Sequence, residues 1–160
     1  IVGYTWFVGP AAHPSPLSFG DALAEIERFL WDEIDRQAPG EAQLPFLLGV
    51  GQGAIMALAA AAAVPDLLSG VMAIDGFLPI VPGWSPPLVP LDGLPVLLLD
   101  APGANGLADV LAGDRLAATL AGWGARVDRR EVPVEPIPGD EMSRWLAAQR
   151  PRHRPASDDA

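Results

Sequence analysis

Residues 44–64 open with Leu44-Pro45-Phe46-Leu47-Leu48-Gly49-Val50-Gly51-Gln52-Gly53-Ala54 and continue through Ile55-Met56-Ala57-Leu58 into an alanine run that ends at Val64. Leu44–Val50 is a short apolar run broken by Pro45 and closed by Gly51, the pattern of a strand buried on both faces. Gln52–Val64 is almost wholly alanine, leucine and other small residues, and a helix apolar on every side is one enclosed by protein. A buried strand turning at once into a buried helix, through glycines at 49, 51 and 53, is the signature of a parallel α/β unit.

Outward from this unit the same alternation repeats. Upstream, Pro10, Pro14 and Pro16 with Tyr4, Trp6 and Phe7 read as an extended loop anchored by aromatics. Leu23, Ile26, Phe29, Leu30 and Ile34 recur at helical spacing. They predict an amphipathic helix over 19–37, capped by Ser18 with Asp21 three residues later, with Glu25, Arg28, Asp32 and Asp35 facing solvent. Downstream, Pro65 stops the buried helix, a second strand is expected over 69–77, and residues 78–94 are a proline-rich loop around Trp84. A third strand is expected over 95–101, a helix over 106–122 and an edge-side strand over 126–132. A last helix over 140–149 has Trp145 and Leu146 facing inward. Trp31 and Trp123 also read as core. The order predicts an α/β sandwich, a mostly parallel sheet flanked by helices. Residues 1–150 are expected to form one partial domain, and 151–160 a flexible tail.

The chain has 160 residues, half of them hydrophobic, and a formal net charge of −10. Every basic group is arginine, and none forms the basic stripe that phosphate neutralisation requires, so no nucleic-acid partner is expected. Docking on an anionic membrane surface is disfavoured for the same reason. The longest apolar run, Ala54–Val64, is far short of the roughly 20 residues that span a bilayer. Cysteine is absent, which removes disulfides and thiolate metal sites; no metal and no cofactor are expected. The chain opens on Ile1-Val2-Gly3 without Met or a basic leader, so a processed or trimmed start is expected. The compartment stays open, with the cytoplasm preferred.

Gly49-Val50-Gly51-Gln52-Gly53-Ala54 occupies a strand-to-helix junction of the kind that carries G-x-S-x-G, where a tight turn lifts a serine above the sheet. Gly3-Tyr4-Thr5-Trp6-Phe7 precedes it, Asp75-Gly76-Phe77-Leu78-Pro79 ends the next strand, and Gly93-Leu94-Pro95-Val96-Leu97 opens the third. In order and spacing over residues 3–150 these segments resemble the α/β-hydrolases of the phospholipase/carboxylesterase type. The chain is similar to the C-terminal part of that sandwich, without its first strands. The resemblance places the nucleophile at Gly51, the acid at Ala104 or Asn105 within Asp100-Ala101-Pro102-Gly103-Ala104-Asn105, and the base at or beside Pro136. Acyl transfer needs a nucleophile, a proton acceptor and a group that orients it; glycine has no side chain to attack with, proline cannot accept a proton, and the three departures together point to a pseudoenzyme. The histidines, His13 and His153, lie in a proline-rich loop and a charged tail.

The resemblance therefore implies a catalytically degenerate homologue, a non-catalytic binding or assembly subunit. Alternatives are an ester hydrolase using a non-standard site, or a phosphate-binding module at the glycine turn. Asp75 and Asp100 at strand ends are candidates for an acid/base pair or turn-capping carboxylates. Trp6, Phe7, Phe77 and Trp84 are candidates for an apolar pocket lying with them above the sheet, for a small apolar ligand, or for loop anchors. Without the first strands, the strand at 44–50 would expose an unpaired apolar edge. A protein partner or a missing N-terminal segment would complete the sheet.

Overall fold

Pro45 has no N–H to give a ladder, and the first strand begins just after it: β1 runs Phe46–Val50 rather than from residue 44. A computed structural model describes residues 5–38, 42–101, 107–132 and 139–154. Its order is α1 (Pro16–Asp35), β1, α2 (Gln52–Ala63), a 3-10 turn (Pro65–Leu67), β2 (Gly70–Ile74), β3 (Pro95–Asp100), α3 (Leu107–Gly122), β4 (Arg126–Glu131) and α4 (Gly139–Ala148). The four strands form one sheet in the order β1-β2-β3-β4, every pair parallel. The α/β reading holds.

Side-chain alternation separates two layers. Val71, Ala73, Val96 and Leu98 pack beneath α1, α2 and α3, against Leu30, Leu58, Leu116 and Leu120. Met72, Ile74, Leu97 and Leu99 point to the other face, where α4 covers them with the buried Trp145. The Trp145 indole donates to Asp128 at 2.8 Å, and its ring meets Phe46 edge-on. Helix α2 is enclosed as its composition dictates, every residue from Ala54 to Ala62 being buried.

Several sequence expectations need correction. Helix α1 starts at Pro16 with Ser15 as its cap residue, because proline's fixed φ and missing N–H suit the first helical position. Ser18 lies inside the first turn, where its hydroxyl accepts from the Val8 N–H at 3.0 Å and faces the Ser15 carbonyl. Strand β2 ends at Ile74, since Asp75 has φ +53 and leaves the extended conformation. Phe29, Trp31 and Leu146 are exposed rather than core; the Arg154 guanidinium stacks over the Trp31 ring. Residues 151–154 do not fray. Arg152 and Arg154 exchange backbone hydrogen bonds with Ala42 and Leu44, and His153 bridges Gln43. The Arg152 N–H also donates to the fully buried Ser69 hydroxyl, which donates in turn to the Leu44 carbonyl.

Candidate functional site

The turn between β1 and α2 is set by backbone geometry. Gly51 has φ 56 and ψ −118, the first central position of a type II′ turn, which glycine dominates because a Cβ is strained there. Its N–H donates to the Ile74 carbonyl at 3.0 Å, and its own carbonyl accepts from Ile55 at 3.1 Å. The turn is thereby tied to β2 on one side and to the helix on the other. Gly49 is glycine for a different reason. A Cβ there would lie 2.2 Å from the Gly53 carbonyl oxygen and 2.5 Å from the Ala54 nitrogen, both backbone. Nothing lies within 4 Å of a Cβ built on Gly51, and one on Gly53 would meet only the Trp6 indole nitrogen, at 3.5 Å. Tightness beside the apex is thus a property of Gly49 and not of Gly53.

Gln52 joins the turn to the upstream aromatic loop. Its Oε1 accepts from the Trp6 N–H at 3.2 Å and lies 2.7 Å from the Thr5 hydroxyl. That hydroxyl also lies 2.8 Å from the Phe7 carbonyl. Two segments 46 residues apart in sequence are therefore fixed against each other at the C-terminal end of β1. Nothing in the sequence of either segment signals their contact.

The six candidate pocket residues fall in three places. Phe7 and Trp84 belong to the packing between α1 and α2, each ring stacked obliquely on Phe19, at centroid distances of 6.0 and 5.1 Å. Trp6 is half exposed and lines an apolar groove of about 370 Å³ with Phe29, Leu47, Leu48 and Met56. Asp75, Phe77 and Asp100 do meet, in a separate crevice of about 280 Å³ between the ends of β2 and β3 and helix α3.

Both carboxylates in that crevice are engaged by the fold. Asp75 Oδ1 accepts the Ala101 N–H at 2.8 Å, while its own N–H donates to Leu99. Asp100 pairs with Arg129 Nε, and Arg129 Nη1 reaches Asp114 Oδ1 at 2.7 Å. The guanidinium lies flat against Gly113, where a Cβ would fall 2.4 Å from Nη2. Arg129 escapes notice in the sequence because a strand that alternates polar with apolar residues looks like a solvated edge. A glycine within a helix, facing an arginine strand, is the signal that could have found it. The positions read as acid and base, Ala104 or Asn105 and Pro136, lie outside the described residues. Among the described residues, no three His, Asp or Glu side chains converge as metal ligands, and no helix is long and apolar enough to cross a membrane.

No curated protein matches the chain. Among solved structures, it is similar to a carboxylesterase from Mesorhizobium loti, with TM-score 0.72 and 22% identity over 91% of this chain and 69% of that one. The Bacillus cereus carboxylesterase superimposes with TM-score 0.65 at 15% identity, over 82% of this chain and 61% of its own length. A phospholipase/carboxylesterase from Dyadobacter fermentans gives TM-score 0.65 at 19% identity, over 89% and 70%. The chain thus spans between three fifths and three quarters of these relatives, and at such identities the likeness is one of fold. The phospholipase/carboxylesterase family profile matches residues 15–99, from α1 through β3 and including the whole glycine turn. That match covers more than half of the sequence, and the chain belongs to the phospholipase/carboxylesterase family of α/β-hydrolases.

Proposed function

We propose that this chain is a catalytically degenerate member of its family, serving as a binding or assembly subunit rather than as a serine esterase. The observation that carries the reading is Gly51. The turn that would present a nucleophile has its apex open, with nothing within 4 Å of a Cβ, and no side chain stands there to attack a carbonyl. The residue at the base position of the resemblance, Pro136, supports it, since proline cannot accept a proton. A fluorophosphonate probe, which reacts with activated serines, tests the reading directly. No labelling above a heat-denatured control is expected; stoichiometric labelling of any serine overturns the proposal.

A second reading is favoured by one observation, the meeting of Asp75 and Asp100 in a single crevice. An ester hydrolase working through these carboxylates would escape the fluorophosphonate probe yet hydrolyse a p-nitrophenyl ester. The hydrogen bond from Ala101 and the ion pair with Arg129 speak for structural roles instead. Turnover abolished by Asp75→Asn with the fold intact would establish the second reading and displace the first.

A further inference from the structure

Residues 151–154 cross the N-terminal ends of the strands, at the end of the sheet remote from the glycine turn. Three main-chain amides hold them. The Leu44 N–H donates to the Arg152 carbonyl at 2.8 Å, the Arg154 N–H to the Ala42 carbonyl at 3.1 Å, and the Arg152 N–H to the Ser69 hydroxyl at 2.7 Å. Two side chains extend the hold. Arg152 Nη2 donates to the Asp92 carbonyl at 2.7 Å, and the Arg154 guanidinium stacks on Trp31 while pairing with Asp35 at 3.0 Å. The segment thus touches α1, the approach to β1, the start of β2 and the approach to β3.

No apolar side chain of the segment enters the core. Pro151, His153 and Arg154 are exposed and Arg152 is half-buried, so hydrogen bonds and charge do the holding, and an element held that way opens at low cost. The charge is lopsided. Arg150, Arg152 and Arg154 carry +3, which leaves −13 on the rest of the chain (−10 less 3). The fold beneath is complete without the segment. Gln43 N–H and C=O are both bonded by the Gln37 side chain, at 2.8 Å each. The Ser69 N–H has the Pro45 carbonyl, and its hydroxyl keeps the Leu44 carbonyl as acceptor. Only the Leu44 N–H and the Ala42 carbonyl would have to take water instead.

We infer that residues 151–154 are a releasable strap, a basic segment latched onto an acidic body, which opens as one unit while the sheet stays folded and which salt loosens. The latch is exposed to screening. Arg154 and Asp35 are 45% and 67% exposed, and the reach of such charges falls from about 10 Å at 0.1 M salt to about 3 Å at 1 M. Opening bares the face of Trp31 that Arg154 covers, and one wall of a recess of about 410 Å³ lined by Trp31, Leu44, Leu67, Val89 and Arg154 itself. The strap is a cover for that recess, set by ionic strength.

Amide hydrogen exchange on the full chain, read residue by residue by NMR at several low urea concentrations, tests the strap. The Leu44, Arg152 and Arg154 amides are expected to share one opening, insensitive to urea and less protected by more than about tenfold than Leu98 in the central strand β3. Raising the salt from about 0.01 M to about 0.5 M should lower their protection by about two- to fivefold, the worth of an exposed ion pair, and leave Leu98 unchanged. Asp35→Asn should reproduce the effect at low salt. It removes a negative charge from the last residue of α1, which favours the helix, so a weakened helix would not account for faster exchange. Three amides as slow as Leu98, with its urea dependence, would make the segment part of the core and overturn the inference. Three unrelated rates would make it a fraying end, and equal protection at both salt concentrations would remove the latch; either result also overturns it.

Discussion

The three glycines of the β1–α2 turn should respond to alanine in a fixed order, because each is glycine for a different physical reason. At Gly53 the new methyl would sit 3.5 Å from the Trp6 indole nitrogen, an ordinary contact. The residue lies in the first turn of α2, where replacing glycine by alanine gains about 0.5–1 kcal/mol of helix propensity. At Gly51 space is open but the backbone is strained for any other residue, with φ 56 and ψ −118. Such strain costs about 1–3 kcal/mol, and roughly 0.4–1 kcal/mol returns through the reduced freedom of the unfolded chain. The net loss is about 1–2 kcal/mol, a fall of roughly 2–8 °C in Tm for a chain of this length.

Gly49→Ala is of another kind. Its methyl would approach the Gly53 carbonyl oxygen to 2.2 Å, where real Cβ contacts stay beyond 3.0 Å. No rotamer can relieve a backbone contact, so the first turn of α2 must move. That movement pulls on the bonds from Gly51 to Ile74 and from Ile55 to Gly51. Overpacking costs about 1–3 kcal/mol and each weakened hydrogen bond about 1 kcal/mol more, which together give about 3–5 kcal/mol. Urea unfolding followed by circular dichroism, with midpoint and slope both fitted, measures all three variants. Stability should rank Gly53→Ala above the parent, then Gly51→Ala, then Gly49→Ala. A Gly49→Ala protein as stable as Gly51→Ala would refute the description of the turn.

Arg129→Met should destabilise by about 2–3 kcal/mol, since it leaves Asp100, 19% exposed, without its cation; that is the cost of breaking a buried pair, reduced for partial exposure. Gly113→Ala should lose a similar amount by displacing the guanidinium, yet be neutral or stabilising in the Arg129→Met background; a double-mutant cycle by urea unfolding reads the coupling. Ser69→Ala removes two hydrogen bonds from a fully buried hydroxyl and should cost about 1–3 kcal/mol. Much of that loss should disappear once residues 151–160 are deleted, as thermal unfolding of the single and combined variants will show. Introducing a hydroxyl alone, by Gly51→Ser, should fold and, on the proposed reading, remain unlabelled by fluorophosphonate, because the base position of the resemblance holds Pro136, which takes no proton.

Some ends of the elements were legible because particular residues enforce them, while the starts of α1 and β1 and the end of β2 were not. Pro65 keeps Val64 out of the helix, and Gly51 ends β1 by turning the chain into α2. Which apolar residues become core was less legible. Phe29 and Leu146 share the helical spacing of their buried neighbours, but periodicity describes one helix and says nothing about what covers its stripe. The clasp of residues 151–154 escaped because its anchor is Ser69, a small polar residue whose burial is decided by the whole sheet. The candidate pocket divided for a similar reason. Trp6 and Phe7 are adjacent in sequence, yet one lines the open groove and the other lies under α1, in a loop that bends over residues 6–9.

A side chain at Gly51 would have to be held at φ 56 and ψ −118, and that strain would be maintained only for what the side chain does. Glycine takes the same conformation at little steric cost. The conformation of the turn is therefore compatible with a glycine that has no chemical role, as the proposed reading requires. The contacts of the glycine turn are mechanical ones. Gly49 brings β1 within backbone contact of α2, Gly51 joins that junction to Ile74 of β2, and Gln52 fastens the Trp6 loop over it. All three act at β1, so the turn has a mechanical role in holding that strand against α2 and β2 whatever the chemistry at its apex.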